Sequence, residues 1–170
     1  MGSVLISELQ FRLSGGVANA DPNLSLGGAL SSFQATDAVL NSLFDDIVLA
    51  EALAGHTDYR CFYIYNASTT SSFRGGVIWL SSVPGGDATM TIGLGSGGYN
   101  SVPAVTANEN TAPSGVTFSS ATSEATSLYV GNIGPLGKYP IWIKRVQAVN
   151  ASPPSQNAAL TIILKGQLNT

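Results

Sequence analysis

One stretch, TDYRCFYIYN at residues 57–66, limits what this chain can become more than any other. Alternation puts Tyr59, Cys61, Tyr63 and Tyr65 on one face and Arg60, Phe62, Ile64 and Asn66 on the other. Both faces carry the aromatic and β-branched residues that a pleated surface favours. A strand with one wetted face would read apolar, polar, apolar, polar. This one does not, so both of its sides need cover. A partner sheet can supply one side; a further segment of the chain or a neighbouring subunit must supply the other. Gly55 before the run and Asn66 at its end mark its limits as turn residues do.

The strand pattern recurs. GVIWLS (76–81) follows Arg74 and Gly75, and ATMTIGL (88–94) follows a Pro84-Gly85-Gly86-Asp87 turn signal. Further candidates are 127–133, 138–149 (KYPIWIKRVQAV) and 158–166 (AALTIILKG). In the 138–149 run Tyr139, Ile141 and Ile143 alternate inward, leaving Trp142 and Lys144 opposite; Leu160, Ile162 and Leu164 repeat the period. Short alternating strands separated by turns predict an all-β antiparallel sandwich. With 170 residues, the chain is one such unit plus an appendage.

The appendage is the N-terminal segment, residues 1–32, leaving 33–170 for the sandwich. A short apolar start, VLISELQFRL, gives way to Ser14-Gly15-Gly16, Asp21-Pro22 and Gly27-Gly28, which forbid a long helix or strand. The reading is an extended arm. Its Leu5, Phe11, Leu13, Leu24 and Leu26 need burial, either over their own domain or against a neighbour. Residues 33–54 are ambiguous between a helix capped by Asp37 and a strand through residues 43–49, and the strand is the favoured reading. Residues 95–123 form a long polar excursion, and loops of that length inside compact domains are usually functional or bound to a partner.

Charge narrows the partners. Only 10% of residues are charged, against about 25% in an average soluble protein, so solubility rests on neutral polar groups and repulsion between copies is weak. A net charge of −3, with seven basic residues dispersed, excludes the footprint of a nucleic-acid binder. No apolar run approaches the ~20 residues of a membrane helix, and the start of the chain lacks the pattern of a signal peptide. Cys61 is the sole cysteine, so no internal disulfide and no thiolate cluster can form, and its strand position predicts a buried, inert thiol.

No reactive constellation emerges, and the expectation is a protein that is not an enzyme and holds no cofactor. Gly93, Gly95 and Gly98 match G-x-G-x-x-G, but YNSVP follows where a dinucleotide fold needs a helix. His56 is the single histidine and reads as a turn residue. Asp45-Asp46 and Asn108-Glu109-Asn110 offer oxygens without the spacing of a calcium loop. Carboxylate pairs drawn from Asp37, Asp58, Asp87, Glu109 and Glu124 are arbitrary without a measured separation. Among the aromatics, Tyr99 is expected outside and Tyr129, Tyr139, Trp79 and Trp142 mostly in the core.

Two runs are more specific. GHTDYRC (55–61), closing at Asn66, resembles the second strand of Ig-like sandwiches, and LGKY (136–139) with IWIKR (141–145) looks like a later turn and strand of that fold. His56 and Tyr65 depart from the pattern, standing where an acid and a polar residue are usual. With ANENTAPSGVTFS (107–119) and the LSGG and DPNLSLGGA pieces of the arm, these runs resemble small β-sandwich virion proteins of tailed bacteriophages, most of all head decoration (cement) proteins. The resemblance implies an Ig-like or jelly-roll-type antiparallel sandwich. It implies a non-enzymatic structural role, made in the bacterial host cytoplasm and placed on the outer capsid surface.

The partners so implied are the major capsid protein and further copies of the chain, a trimer matching threefold capsid sites. The contacts would come from the arm (Leu5, Phe11, Leu13, Leu24, Leu26) and the excursion (Tyr99, Asn100, Glu109). A tail, baseplate or neck position is the alternative within the same class. A carbohydrate-binding module using Tyr99 and Asn100 is the alternative from another.

Overall fold

The structure is a computed structural model, described here for residues 6–37, 42–82, 88–149 and 160–168. Two antiparallel sheets form the expected β-sandwich. Its strands are β1 (Leu9–Leu13), β2 (His56–Asn66), β3 (Phe73–Ser82), β4 (Ala88–Leu94), β5 (Phe118–Ser119), β6 (Leu128–Ile133), β7 (Lys138–Gln147) and β8 (Thr161–Leu168). The larger sheet runs β1-β2-β7-β4-β5 and the smaller β6-β3-β8. The Pro84-Gly85-Gly86-Asp87 turn lies outside the described residues.

The alternation read from sequence sets the register. Cys61 pairs with Trp142 and Phe62 with Ile141 across β2 and β7, so Phe62, Ile64, Ile141 and Ile143 share the inner face. There they meet Ile78 and Leu80 of β3 and Ile133 of β6 in one apolar core, with Ile92 of β4 beside them. Removing such side chains from water, at roughly 25 cal/mol per Å², is the main term holding the sheets together.

Tyr59, Cys61 and Trp142 face the other way and are equally buried. The cover comes from this chain. Val116 and Phe118 pack on that trio, and the arm lies over it at Ser25, which meets Cys61, and at Gly27, which meets the Trp142 ring. The arm thus contributes β1 to the larger sheet of the sandwich. Its β1 is the edge strand beside β2, and residues 31–35 close the free edge of β1: Leu13 and Ala35 donate to Phe33 O and Phe11 O, and Ser31 to Leu13 O. An exposed ladder edge invites pairing with other chains, and here it is capped.

The strand favoured over residues 43–49 does not form. Residues 42–48 run without regular structure, and a six-residue helix, α1 (Leu49–Ala54), follows. The backbone N–H of Val48 donates to Glu51 Oε2 at 2.9 Å, which satisfies one donor at the helix start. Gly55 ends α1 at a φ of 77°, a conformation open to glycine. The alternative helix from residue 38 begins outside the described residues.

Candidate functional site

The arm and the excursion are laced together over the larger sheet. Gly28 N–H donates to Pro103 O, Thr106 N–H to Leu26 O, and Tyr63 Oη to Gly28 O at 2.6 Å. Along the edge of β2 that β1 leaves unpaired, opposite β7, Cys61 N–H donates to Ser25 O and Tyr59 N–H to Glu109 O, both at 2.7 Å. Two loops thereby finish a ladder that β1 begins. Gly27 is required where the layers meet: its φ is 102°, and a Cβ there would collide with Ala104 O and press on the Trp142 ring.

This closure decides the fate of the expected contact residues. Leu13 is fully buried, and Phe11 packs edge-on against Phe62 with ring centroids 5.4 Å apart. β1 turns both toward the protein's own core, Leu13 wholly and Phe11 in part. Leu26 is half-buried beside the excursion, whereas Leu24 stands exposed. Leu5 lies outside the described residues. Tyr99 is exposed, as expected, with its hydroxyl edge against Gly134 and Gly137. Asn100 instead exchanges hydrogen bonds with Lys138: its backbone N–H donates to Lys138 O, and its Oδ1 accepts from Lys138 N–H at 3.0 Å. That commits the amide oxygen of the sugar-binding pair within the protein. Tyr129, expected inside, is 68% exposed on the outer face of the smaller sheet.

Cys61 is buried as predicted. Burial pushes its thiol up to about 12, a hydrogen bond from the side chain of Ser14 offsetting part of the rise. Burial likewise raises Tyr63, and the neighbouring Cys61 adds to it. Neither group ionises at neutral pH. Of the glycine motif, Gly95 N–H donates to Pro140 O and Gly98 N–H to Gly95 O, so these residues build a turn.

Sequence reasoning missed a cluster of charges at one end of the sandwich. Asp58 and Arg145 are cross-strand partners on β2 and β7, both buried. Arg145 Nε donates to Asp58 Oδ2 at 2.7 Å and Nη2 lies 2.6 Å from the same oxygen, while Nη1 donates to Asp45 O at 2.7 Å. Arg60, fully buried one turn of the pleat away, places Nη2 2.6 Å from Glu109 Oε2, 3.2 Å from Asn23 Oδ1 and 3.4 Å from Asp45 Oδ1. Phe44 roofs both cations, its ring 4.7 Å from the Arg145 guanidinium carbon and 5.4 Å from that of Arg60. Arm, excursion and the 42–48 segment all end on these two guanidiniums.

His56, read as a plain turn residue, opens β2 in this cluster. Its Nε2 is 2.5 Å from Asp58 Oδ1, 3.7 Å from Glu51 Oε1 and 3.9 Å from Glu109 Oε1. Asp45 and Glu109, two oxygen sources that looked unrelated, converge on Arg60. Of the other carboxylates considered, Glu124 pairs with Lys165 at the surface, Asp37 lies apart from the cluster in sequence and is exposed, and Asp87 is outside the described residues. A signal was present: Asp58 and Arg60 sit in an otherwise apolar strand, and buried charges demand partners.

Among the described residues, no helix is long and apolar enough to cross a membrane. No family model, no curated protein and no solved structure matches this chain.

Proposed function

We propose that this chain is a non-enzymatic virion structural protein of a tailed bacteriophage, a decoration (cement) protein that binds and stabilises the shell of the major capsid protein. The observation carrying this reading is the chemistry of the outer layer. Residues 14–33 and 95–119 contribute just two charged side chains, Asp21 and Glu109, and Glu109 is turned in to Arg60. Val17, Leu24, Val102 and Val105 stand exposed on that layer. Val105 lies over Gly28 beside Gly15, and Gly15 abuts Leu24, so Val105 and Leu24 are joined through these glycines.

A neutral surface dotted with aliphatic groups suits docking on a repeating lattice. Each contact is weak, repulsion between neighbouring copies is small, and repetition multiplies the affinity. The resemblance of residues 55–61, 107–119 and 136–145 to virion sandwich proteins points the same way. The arm's contribution to docking is its outer surface, since its anchors are used within the protein.

The test is sedimentation of capsid shells of the encoding phage with added purified protein. Saturable co-sedimentation is expected, with Leu24→Lys and Val105→Lys weakening it while leaving the melting temperature unchanged. Protein that stays in the supernatant at every concentration, with intact shells, overturns the reading. Analytical ultracentrifugation of the free protein tests the trimer independently.

A further inference from the structure

Three carboxylates around His56 share one construction. Each commits one oxygen to a fixed donor and turns the other toward the imidazole. Glu51 Oε2 accepts from the Val48 N–H at 2.9 Å, Asp58 Oδ2 accepts from Arg145 Nε at 2.7 Å, and Glu109 Oε2 accepts from Arg60 Nη2 at 2.6 Å. Their remaining oxygens, Glu51 Oε1, Asp58 Oδ1 and Glu109 Oε1, lie 3.7, 2.5 and 3.9 Å from His56 Nε2. Carboxylates held by outer donors and aimed inward at a histidine are how proteins orient metal ligands.

A second observation is independent of that grouping. Asp58 is 1% exposed, and its Oδ1 accepts no hydrogen bond of proper geometry, although His56 Nε2 stands beside it. The N–H axis of the imidazole misses this oxygen. A buried carboxylate oxygen without a donor is costly, and a single N–H cannot serve three oxygens. Charge leads to the same place: Asp45, Asp58 and Glu109 meet the guanidiniums of Arg60 and Arg145, and Glu51 beside His56 is a fourth carboxylate, which leaves negative charge over when the imidazole is neutral.

We propose that His56, Glu51 and Glu109 bind one divalent transition-metal ion, zinc by preference, with Asp58 Oδ1 beside the imidazole. One imidazole nitrogen and two carboxylate oxygens, all within 4.8 Å of one another, make a three-donor set of the kind that zinc accepts with water in the fourth position. Donors around a tetrahedral ion with bonds of ~2.1 Å lie about 3.4 Å apart. The Glu51 and Glu109 oxygens need to approach the imidazole slightly, and Asp58 Oδ1 needs to draw back from it. The ion would join α1, β2 and the excursion at one point, fastening the outer layer that the proposed docking surface belongs to. The site stands on its own geometry, whether or not that surface meets a capsid.

The test is calorimetric titration of the chelator-treated full chain with ZnCl2, alongside MnCl2, CaCl2 and MgCl2, with the melting temperature followed in parallel. Expected are one equivalent of Zn²⁺ at micromolar affinity, a raised melting temperature, and weaker Ca²⁺ and Mg²⁺ binding. His56→Gln and the half-exposed Glu51→Gln should each weaken Zn²⁺ by about tenfold or more. Folding of each variant is checked by circular dichroism. Absence of Zn²⁺ and Mn²⁺ binding at millimolar concentration overturns the proposal, as does Zn²⁺ binding unchanged in both folded variants. Preferential Ca²⁺ binding that ignores His56→Gln also overturns it.

Discussion

Tyr63 donates its hydroxyl hydrogen to the carbonyl of Gly28 across 2.6 Å, joining the middle of the most apolar strand to the segment that roofs it. Few contacts say more about why the N-terminal residues stay down. Tyr63→Phe keeps the ring and removes this bond, leaving the Gly28 carbonyl without it. A loss of about 1 kcal/mol is expected, read as a lower urea midpoint. Amide exchange should quicken in residues 14–33 more than in β7.

Gly27→Ala tests the same junction from the other side. The added methyl meets Ala104 O and the Trp142 ring, at a φ of 102° that an L residue resists. Strain of this sort costs roughly 1–3 kcal/mol before any clash is counted, so the variant should be less stable than Tyr63→Phe by thermal melting. Trp142 emission should shift to the red as its cover lifts.

Breaking the buried pair should cost more than either. Asp58→Ala strips the carboxylate from Arg145, whose side chain is 7% exposed and retains Asp45 as an acceptor. Removing one partner of a buried pair costs about 3–5 kcal/mol, and the Asp45 contacts that remain place the expected loss at the low end, about 3 kcal/mol. By contrast, Lys165→Ala opens a pair whose partners are 57% and 58% exposed, and should change stability by less than about 1 kcal/mol. Equal effects from the two variants in chemical denaturation would contradict the burial described.

Alkaline pH should weaken the fold through Cys61 and Tyr63. The unfolded thiol releases its proton near 9.0, whereas burial holds it in the folded protein to about 12. Between those values the unfolded state has fewer bound protons, so its free energy falls as pH rises and stability declines. Tyr63, raised by burial, adds in the same direction above its ordinary 10.0. Urea midpoints across this window should fall with pH, and Cys61→Ala should flatten the slope. Thiol reagents at neutral pH should label Cys61 only after unfolding.

Six of the strands could be read from the chain because each carries its own alternation and its own turn residues. β1 could not, although Leu9, Phe11 and Leu13 alternate. Five alternating residues look the same whether they pair or dangle, and their partners lie about fifty positions away, between Phe62 and Asn66. The helix α1 was hidden for a similar reason. Its apolar neighbour Phe44 looks like a strand residue until Arg60 and Arg145 are seen beneath it.

The amino-acid sequence alone determined the sandwich, the inward and outward faces of β2 and β7, and the inert burial of Cys61, because side-chain alternation and apolar character are local properties. Only the tertiary structure decided what covers the second face of β2. It placed this chain's own arm there, consuming Phe11 and Leu13 that had looked like contacts for a neighbour. It also gathered Glu51, His56, Asp58 and Glu109, which lie on three separate segments, around one nitrogen. Such convergence depends on how distant segments close over a buried charge, and a buried charge chooses its partners by proximity in space, of which a linear pattern carries no record.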